Sequence, residues 1–318
     1  MIMQKTPISD KVAVGAAQSK LILVGEHAVV HGQPAIALPF PLIGAESIVE
    51  RTSGNVYLDS SLYRGPMESA PSSLAGIVHT VKQTLKLLQI PYEDLLIRIR
   101  SSIPPGKGLG SSASVAIAIV KSLFAYSNEK CTKEILLQLA NISETFAHGA
   151  PSGIDPLTIT SKTPIWYKRE EPIDHIYPKG EFHFVIADTG RMADTKSAID
   201  TVKHLIKTTP QMVNDAMERI GEITFQVREA LEKSSKQLLG SLLDEAQKQL
   251  ETIGVSDTSL NRLIHIAKQE GALGAKLTGG GNGGCIIALA KDEAHSEVLS
   301  QRLREYGADA VWSYNLKG

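Results

Sequence analysis

Cysteine, net charge and long apolar runs are all scarce in this chain, and each shortage narrows what it can be. Its two cysteines, Cys131 and Cys285, stand far apart and without metal-ligand spacing, so reduced thiols in a cytosolic protein are expected. Lys+Arg 33 against Asp+Glu 34 leave a formal net charge of −1. A balance that even gives no global electrostatic attraction for nucleic acid or a membrane surface, so any anion binding must be local. No apolar stretch approaches the ~20 residues needed to span a bilayer. Residues 1–10 lack the apolar core of a signal peptide, and a cytoplasmic location is expected. Internal repeats, low-complexity tracts and a flexible linker are also missing.

The chain nevertheless carries ample material for cores. Hydrophobic residues make up 42% of 318, a length that suggests about two domains. The texture changes without a linker, giving an expected division into 1–170 and 171–318.

The most informative stretch is P-P-G-K-G-L-G-S-S-A-S at 104–114. Upstream, residues 95–100 alternate, Ile97 and Ile99 against Arg98 and Arg100, as a half-buried strand does. Downstream, the apolar run 115–124 opens on two serines and predicts a buried helix with a hydroxyl cap. Strand, glycine loop and helix aim backbone N–H groups at an anion, and Gly106, Gly108 and Gly110 let the backbone come close to it. The loop lacks the Gly-Lys-Ser/Thr ending of a P-loop, and no acid is placed for a dinucleotide fingerprint. On pattern alone a phosphate loop and a structural turn both stay open. Two features favour phosphate. Ser111 and Ser112 place hydroxyls at a helix start, within reach of a divalent cation, and a second glycine cluster, K-L-T-G-G-G-N-G-G-C at 276–285, can meet the first in space.

Other elements follow from periodicity. Residues 12–24 hold two apolar runs around Gln18-Ser19-Lys20 and predict strands. Residues 48–58, with Gly54-Asn55 in the middle, predict a hairpin, and 59–70 a loop. Ser72 or Ser73, Thr132 and Thr195 are expected to cap helices, the first bearing Leu74, Ile77, Val81 and Leu85 at helical spacing. Two long amphipathic helices are expected over 211–253 and another from Asp257. Strands are expected at 182–187, 286–290 and 310–314, with a charged helix over 292–304.

Several polar residues interrupt this pattern. Lys20 lies between apolar runs, where a lysine is costly unless paired or functional. Asp155 stands among Gly, Pro and Ser, as a local cap or as a proton acceptor. A carboxylate can take the proton of an acceptor hydroxyl, and a nearby ammonium can hold the acid ionised and stabilise developing alkoxide charge. Glu144 reads either as a solvated helix acid or as a magnesium ligand acting with Ser112 and nucleotide phosphates. His27 is a turn residue or a donor to a polar substrate. His31, Lys107 and His148 read as structural or surface residues, and Cys285 as a small buried apolar one.

Three segments, K-L-I-L-V-G-E-H-A-V-V-H-G at 20–32, the loop at 104–114 and the cluster at 276–285, together resemble the GHMP kinase superfamily in order and spacing. The first motif and H-G-A-P-S-G-I-D-P at 148–156 resemble its mevalonate kinase branch. The resemblance implies an α/β fold of two domains, an N-terminal mixed α/β domain and a C-terminal ferredoxin-like domain. It implies an ATP-dependent kinase of the primary hydroxyl of mevalonate, with magnesium as cofactor, and is compatible with a homodimer. By position, Asp155 matches the catalytic base and Lys20 the lysine beside it. Pro105, Gly106, Lys107, Gly108, Leu109, Gly110, Ser111, Ser112 and Ala113 match the loop around the ATP phosphates. Ser112 and Glu144 match the magnesium ligands, and Glu26, His27 and Thr195 positions near the acceptor. Gly280 stands where alanine or serine is frequent and Asn282 where glycine is usual. Asn tolerates left-handed backbone, so that turn is expected to survive. A phosphomevalonate kinase would favour more basic residues around its pocket than can be placed here. A non-catalytic sensor on the same fold would have lost an acid or a loop serine, yet Lys20, Ser111, Ser112, Glu144 and Asp155 are all present.

Overall fold

Strands β1 (Val12–Val24) and β2 (Ala35–Arg51) pair with each other, and each gives residues to both of the units into which the chain divides. The computed structural model describes residues 11–148 and 153–318. One unit takes 11–19, 43–103, 110–148 and 153–160, and the other takes 20–42, 104–109 and 161–318.

In the first unit the chain continues through β3 (Tyr57–Asp59), β4 (Arg64–Pro66), α1 (Ala75–Leu87) and β5 (Leu95–Ser101). It then forms α2 (Ser111–Ser127), α3 (Lys133–His148) and α4 (Ile154–Ile159). The alternation read at 95–100 is realised: Ile97 is fully buried, while Arg98 pairs with Glu50 at 3.0 Å and Asp59 at 3.3 Å. Helix α2 is apolar nearly all round because it runs through the core, packed against α1 and α3.

The second unit adds β6 (Ile165–Tyr167), β7 (Asp174–His175), β8 (Glu181–Asp188), α5 (Thr195–Thr208), α6 (Pro210–Glu232) and α7 (Lys236–Thr252). Then come α8 (Thr258–Gln269), β9 (Gly274–Thr278), β10 (Cys285–Leu289), α9 (Glu293–Glu305) and β11 (Ala310–Lys317). Its antiparallel sheet runs β11-β8-β10-β9. That is the order of a ferredoxin-like β-α-β-β-α-β unit, with four helices, α5 to α8, between β8 and β9 where the motif has one. A core of Val185, Ala187, Leu277, Ile286, Met217 and Leu260 lies against it. No helix among the described residues is long and apolar enough to cross a membrane.

Five local expectations give way to stronger constraints. The hairpin at 48–58 does not form, because β5 takes the place beside β2 and β3 pairs with β5 in parallel. The Gly54 turn is held instead by Asp94, whose carboxylate accepts the Gly54 N–H at 2.7 Å. Part of the expected 59–70 loop is β4. Ser72 and Ser73 form a 3-10 turn ahead of α1, whose cap is Leu74 without a side-chain bond. Helix α2 is capped by Gly110 with no hydroxyl, Ser111 and Ser112 being its first residues, and α5 is capped by Asp194, with Thr195 its first residue. Thr132 does cap α3, its hydroxyl accepting the Ile135 N–H at 3.3 Å.

Helix α2 lies so close to β1 that a Cβ on Gly15 would fall 2.2 Å from the Ala118 carbonyl oxygen and 2.4 Å from the Ser122 nitrogen. Both obstacles are backbone and cannot rotate away. Gly15→Ala is therefore expected to lower stability by about 2 kcal/mol, read as a lower urea midpoint. An unchanged midpoint would show that α2 can lift off the strand.

Candidate active site

The loop 104–109 is held in the second unit by backbone rather than by side-chain bulk. Gly106, Gly108 and Gly110 have φ of +67°, +77° and +74°, as the sequence suggested. The two glycine clusters do meet: a Cβ on Gly108 would lie 3.0 Å from the Gly279 Cα, and one on Gly279 would lie 2.9 Å from the Gly108 Cα. The Ala193 N–H donates to the Gly106 carbonyl at 2.7 Å, and the Lys20 N–H to the Leu109 carbonyl at 3.4 Å. Lys107, read from sequence as structural or surface, is 7% exposed; its ammonium donates to Asp188 Oδ1 at 2.7 Å and to the Arg191 carbonyl at 2.9 Å. Running out of this loop, the chain enters α2, whose first turn leaves backbone amides without helical partners beside the hydroxyls of Ser111 and Ser112.

The first and third motifs join beside the loop. Glu26 is 4% exposed and forms a buried ion pair with Lys276, which also donates to the Leu277 carbonyl. Burial pushes the Glu26 carboxyl up from its ordinary value; Lys276 chiefly, and Lys20 less, draw it back down. Burial likewise lowers the Lys276 ammonium, with Glu26 opposing. The Thr278 hydroxyl donates to the Ile22 carbonyl at 2.8 Å and accepts the Ile22 N–H at 3.2 Å, stitching β9 to β1 as a strand edge would. His27 has φ +59°, rare for a residue with a side chain. Its Nε2 lies 2.9 Å from the Gly280 carbonyl. A carbonyl only accepts, so Nε2 carries the proton and Nδ1 is the acceptor. Burial lowers the His27 pKa, which keeps the ring neutral at pH 7.

Gly280 and Asn282, the two departures from the usual third motif, both find a reason here. A Cβ on Gly280 would sit 2.3 Å from the Thr195 hydroxyl oxygen, so glycine makes room for Thr195 at the start of α5. Asn282 takes φ +51°, the left-handed backbone expected of it. Thr195 and His27 thus meet at one residue. Lys20 is 4% exposed within β1, and Cys285 is fully buried, its thiol pushed well up by burial and by Asp188.

In the first unit, the Ser112 and Ser143 hydroxyls are 3.0 Å apart, which sets Ser112 beside the residue that precedes Glu144 on α3. Glu144 is 3% exposed, so the reading of a solvated helix acid is wrong. A buried carboxylate and a serine hydroxyl are hard oxygen donors of the kind magnesium takes alongside phosphate and water. Asp155 is the second residue of α4 and half-buried. Residues 149–152 of the H-G-A-P-S-G-I-D-P motif lie outside the described residues, as does the side chain of His148.

Sequence reasoning missed Lys276 and Asp188. Lys276 interrupts an apolar strand, as Lys20 does, and that signal applied twice would have found it. Asp188 ends the apolar run 182–187, where an acid closing a buried strand reads as an ordinary strand end.

Comparisons with known proteins converge with this geometry. Residues 76–161 match the family GHMP kinases N terminal domain, and residues 227–309 match GHMP kinases C terminal. A mevalonate kinase of Pyrococcus abyssi is 30% identical over 300 residues, covering 88% of this chain and 89% of that protein. The crystal structure of L. major mevalonate kinase in complex with R-mevalonate superposes with a TM-score of 0.84 at 26% identity, over 99% of both chains. A mevalonate kinase from methicillin-resistant Staphylococcus aureus gives 0.73 at 31% identity, over 97% of this chain and 100% of that one. With its loop, its paired motifs and these relatives taken together, the chain belongs to the mevalonate kinase family of the GHMP kinases.

Proposed function

We propose that this protein transfers the γ-phosphoryl group of ATP to the primary hydroxyl of mevalonate, giving 5-phosphomevalonate and ADP. One observation carries the reading: Glu26 meets Lys276 and His27 meets Gly280, so polar groups of the first motif stand next to the glycines that abut the phosphate loop. The relatives' names favour mevalonate over phosphomevalonate as acceptor.

The roles follow from chemistry. The amides of 106–113 and the hydroxyls of Ser111 and Ser112 hold the ATP phosphates. As the mevalonate oxygen bonds to the γ-phosphorus, the bond from that phosphorus to the β,γ-bridging oxygen breaks. The hydroxyl proton passes to Asp155 within the transition state, since an aliphatic alcohol hardly ionises beforehand. Lys20 is assigned to the charge developing on the acceptor oxygen. Glu26, neutral His27 and Thr195 are assigned to orienting mevalonate. Ser112 and Glu144 would hold magnesium, which when bound neutralises phosphate charge.

The direct test measures ADP release with mevalonate, phosphomevalonate, galactose and homoserine; turnover on any acceptor other than mevalonate as the best one overturns the assignment. Asp155→Asn is expected to cut turnover by at least about 100-fold while nucleotide affinity changes little. Near-normal turnover in that variant removes Asp155 from the role. Glu144→Ala is expected to shift the magnesium titration of activity to higher concentration, and an unmoved titration would count against it as a ligand.

A further inference from the structure

A lysine inside a phosphate-binding loop is ordinarily taken to reach for phosphate. Lys107 does not. Its side chain is 7% exposed, and its ammonium is committed to Asp188 Oδ1 at 2.7 Å and the Arg191 carbonyl at 2.9 Å. Asp188, 1% exposed, closes β8 in register with Cys285 of β10 and Ala310 of β11, so it stands on the interior of the four-stranded sheet. The same Oδ1 accepts the Gly190 N–H at 2.9 Å, which orients the carboxylate.

Around this pair the loop is bracketed. The Ala193 N–H holds the Gly106 carbonyl at 2.7 Å on one side. On the other, a Cβ on Gly284 would come 3.0 Å from the Lys107 carbonyl oxygen. Gly284 in turn donates its N–H to the Arg191 carbonyl at 3.0 Å and accepts from the Thr189 N–H at 2.9 Å. The segment 188–193 and Gly284 thus form a seat for residues 106–107, and the ion pair is its one charged contact among the described residues. A pair this buried is little screened by salt, and removing one partner leaves the other as an uncompensated buried charge.

We infer that Lys107 and Asp188 are a positioning pair: they fix the phosphate loop to the sheet, and the loop binds phosphate through its amides and serine hydroxyls alone. The inference rests on the assignment of residues 105–113 to the ATP phosphates. It sets Lys107 apart from its neighbours in the loop, because its side chain acts through Asp188 and touches no ligand.

The test titrates the ATP analogue AMPPNP, with magnesium, into Lys107→Met, Asp188→Asn and the double variant, and measures KM for ATP and for mevalonate. Each single change is expected to weaken AMPPNP by about tenfold to a hundredfold, since a loop out of position loses aligned contacts. The double variant should be about as weak as the worse single one, because the two residues act as a unit, and KM for mevalonate should stay at its wild-type value. If Lys107 were a phosphate ligand, Asp188→Asn would free it, and AMPPNP would bind as tightly as to wild type or tighter; that result overturns the inference. Should a single variant fail to fold on its lone buried charge, the double variant, which carries none, decides alone: folded and binding AMPPNP normally, it also overturns the inference. A wild-type chain that binds AMPPNP but leaves mevalonate unphosphorylated sinks the acceptor assignment and leaves the positioning pair standing.

Discussion

The second unit depends on an ammonium and a carboxylate taken out of water together, Lys276 against Glu26. Desolvating each ion costs several kcal/mol, and their attraction offsets that only when the geometry is held. The requirement propagates. Strand β9 must present Lys276 where the first motif turns, and Thr278 meets the same need two residues on by completing the edge of β1. With β9 so placed, Gly279 falls against Gly108 and the Gly280 carbonyl falls within hydrogen-bond reach of His27 Nε2. The first motif and the glycine loop are thereby set beside each other by one ion pair and by the missing side chains of three glycines.

The loop itself is electrostatically quieter than its sequence suggests. Its lysine is neutralised by Asp188, which leaves backbone amides and the start of α2 as the loop's positive groups. That suits a chain with a net charge of −1.

Much of this was legible in the residues. The alternation at 95–100, the apolar helix after the serines and the glycine spacing each reported a strong local constraint, and each element formed. The cost of burying Lys20 was read correctly too, since that lysine is 4% exposed within a strand. What escaped was pairing. Nothing in residues 48–58 reveals that a strand more than thirty positions later takes the place beside β2, because a hairpin and a parallel insertion share the same turn chemistry. Helix caps slipped by a residue or two for a related reason: Asp194 and Gly110 compete with the neighbouring hydroxyls, and tertiary packing decides among them. Lys107 with Asp188 and Glu26 with Lys276 are 81 and 250 positions apart, a separation that no single-sequence period reaches.

The way β1 and β2 are shared between units also orders events in time. The first unit is complete in sequence once residue 160 has been made, and its helices pack mostly on near neighbours. The second unit owns residues 20–42 and 104–109, synthesised early, yet their partners β8 to β11 come from the last stretch of the chain, ending with β11 at Ala310–Lys317. During synthesis the glycine loop and the G-E-H motif must therefore wait, exposed, for strands β8 to β11 to arrive. A ribosome that stops short of β11 therefore releases a chain whose first core is finished and whose glycine loop at 104–109 has no seat.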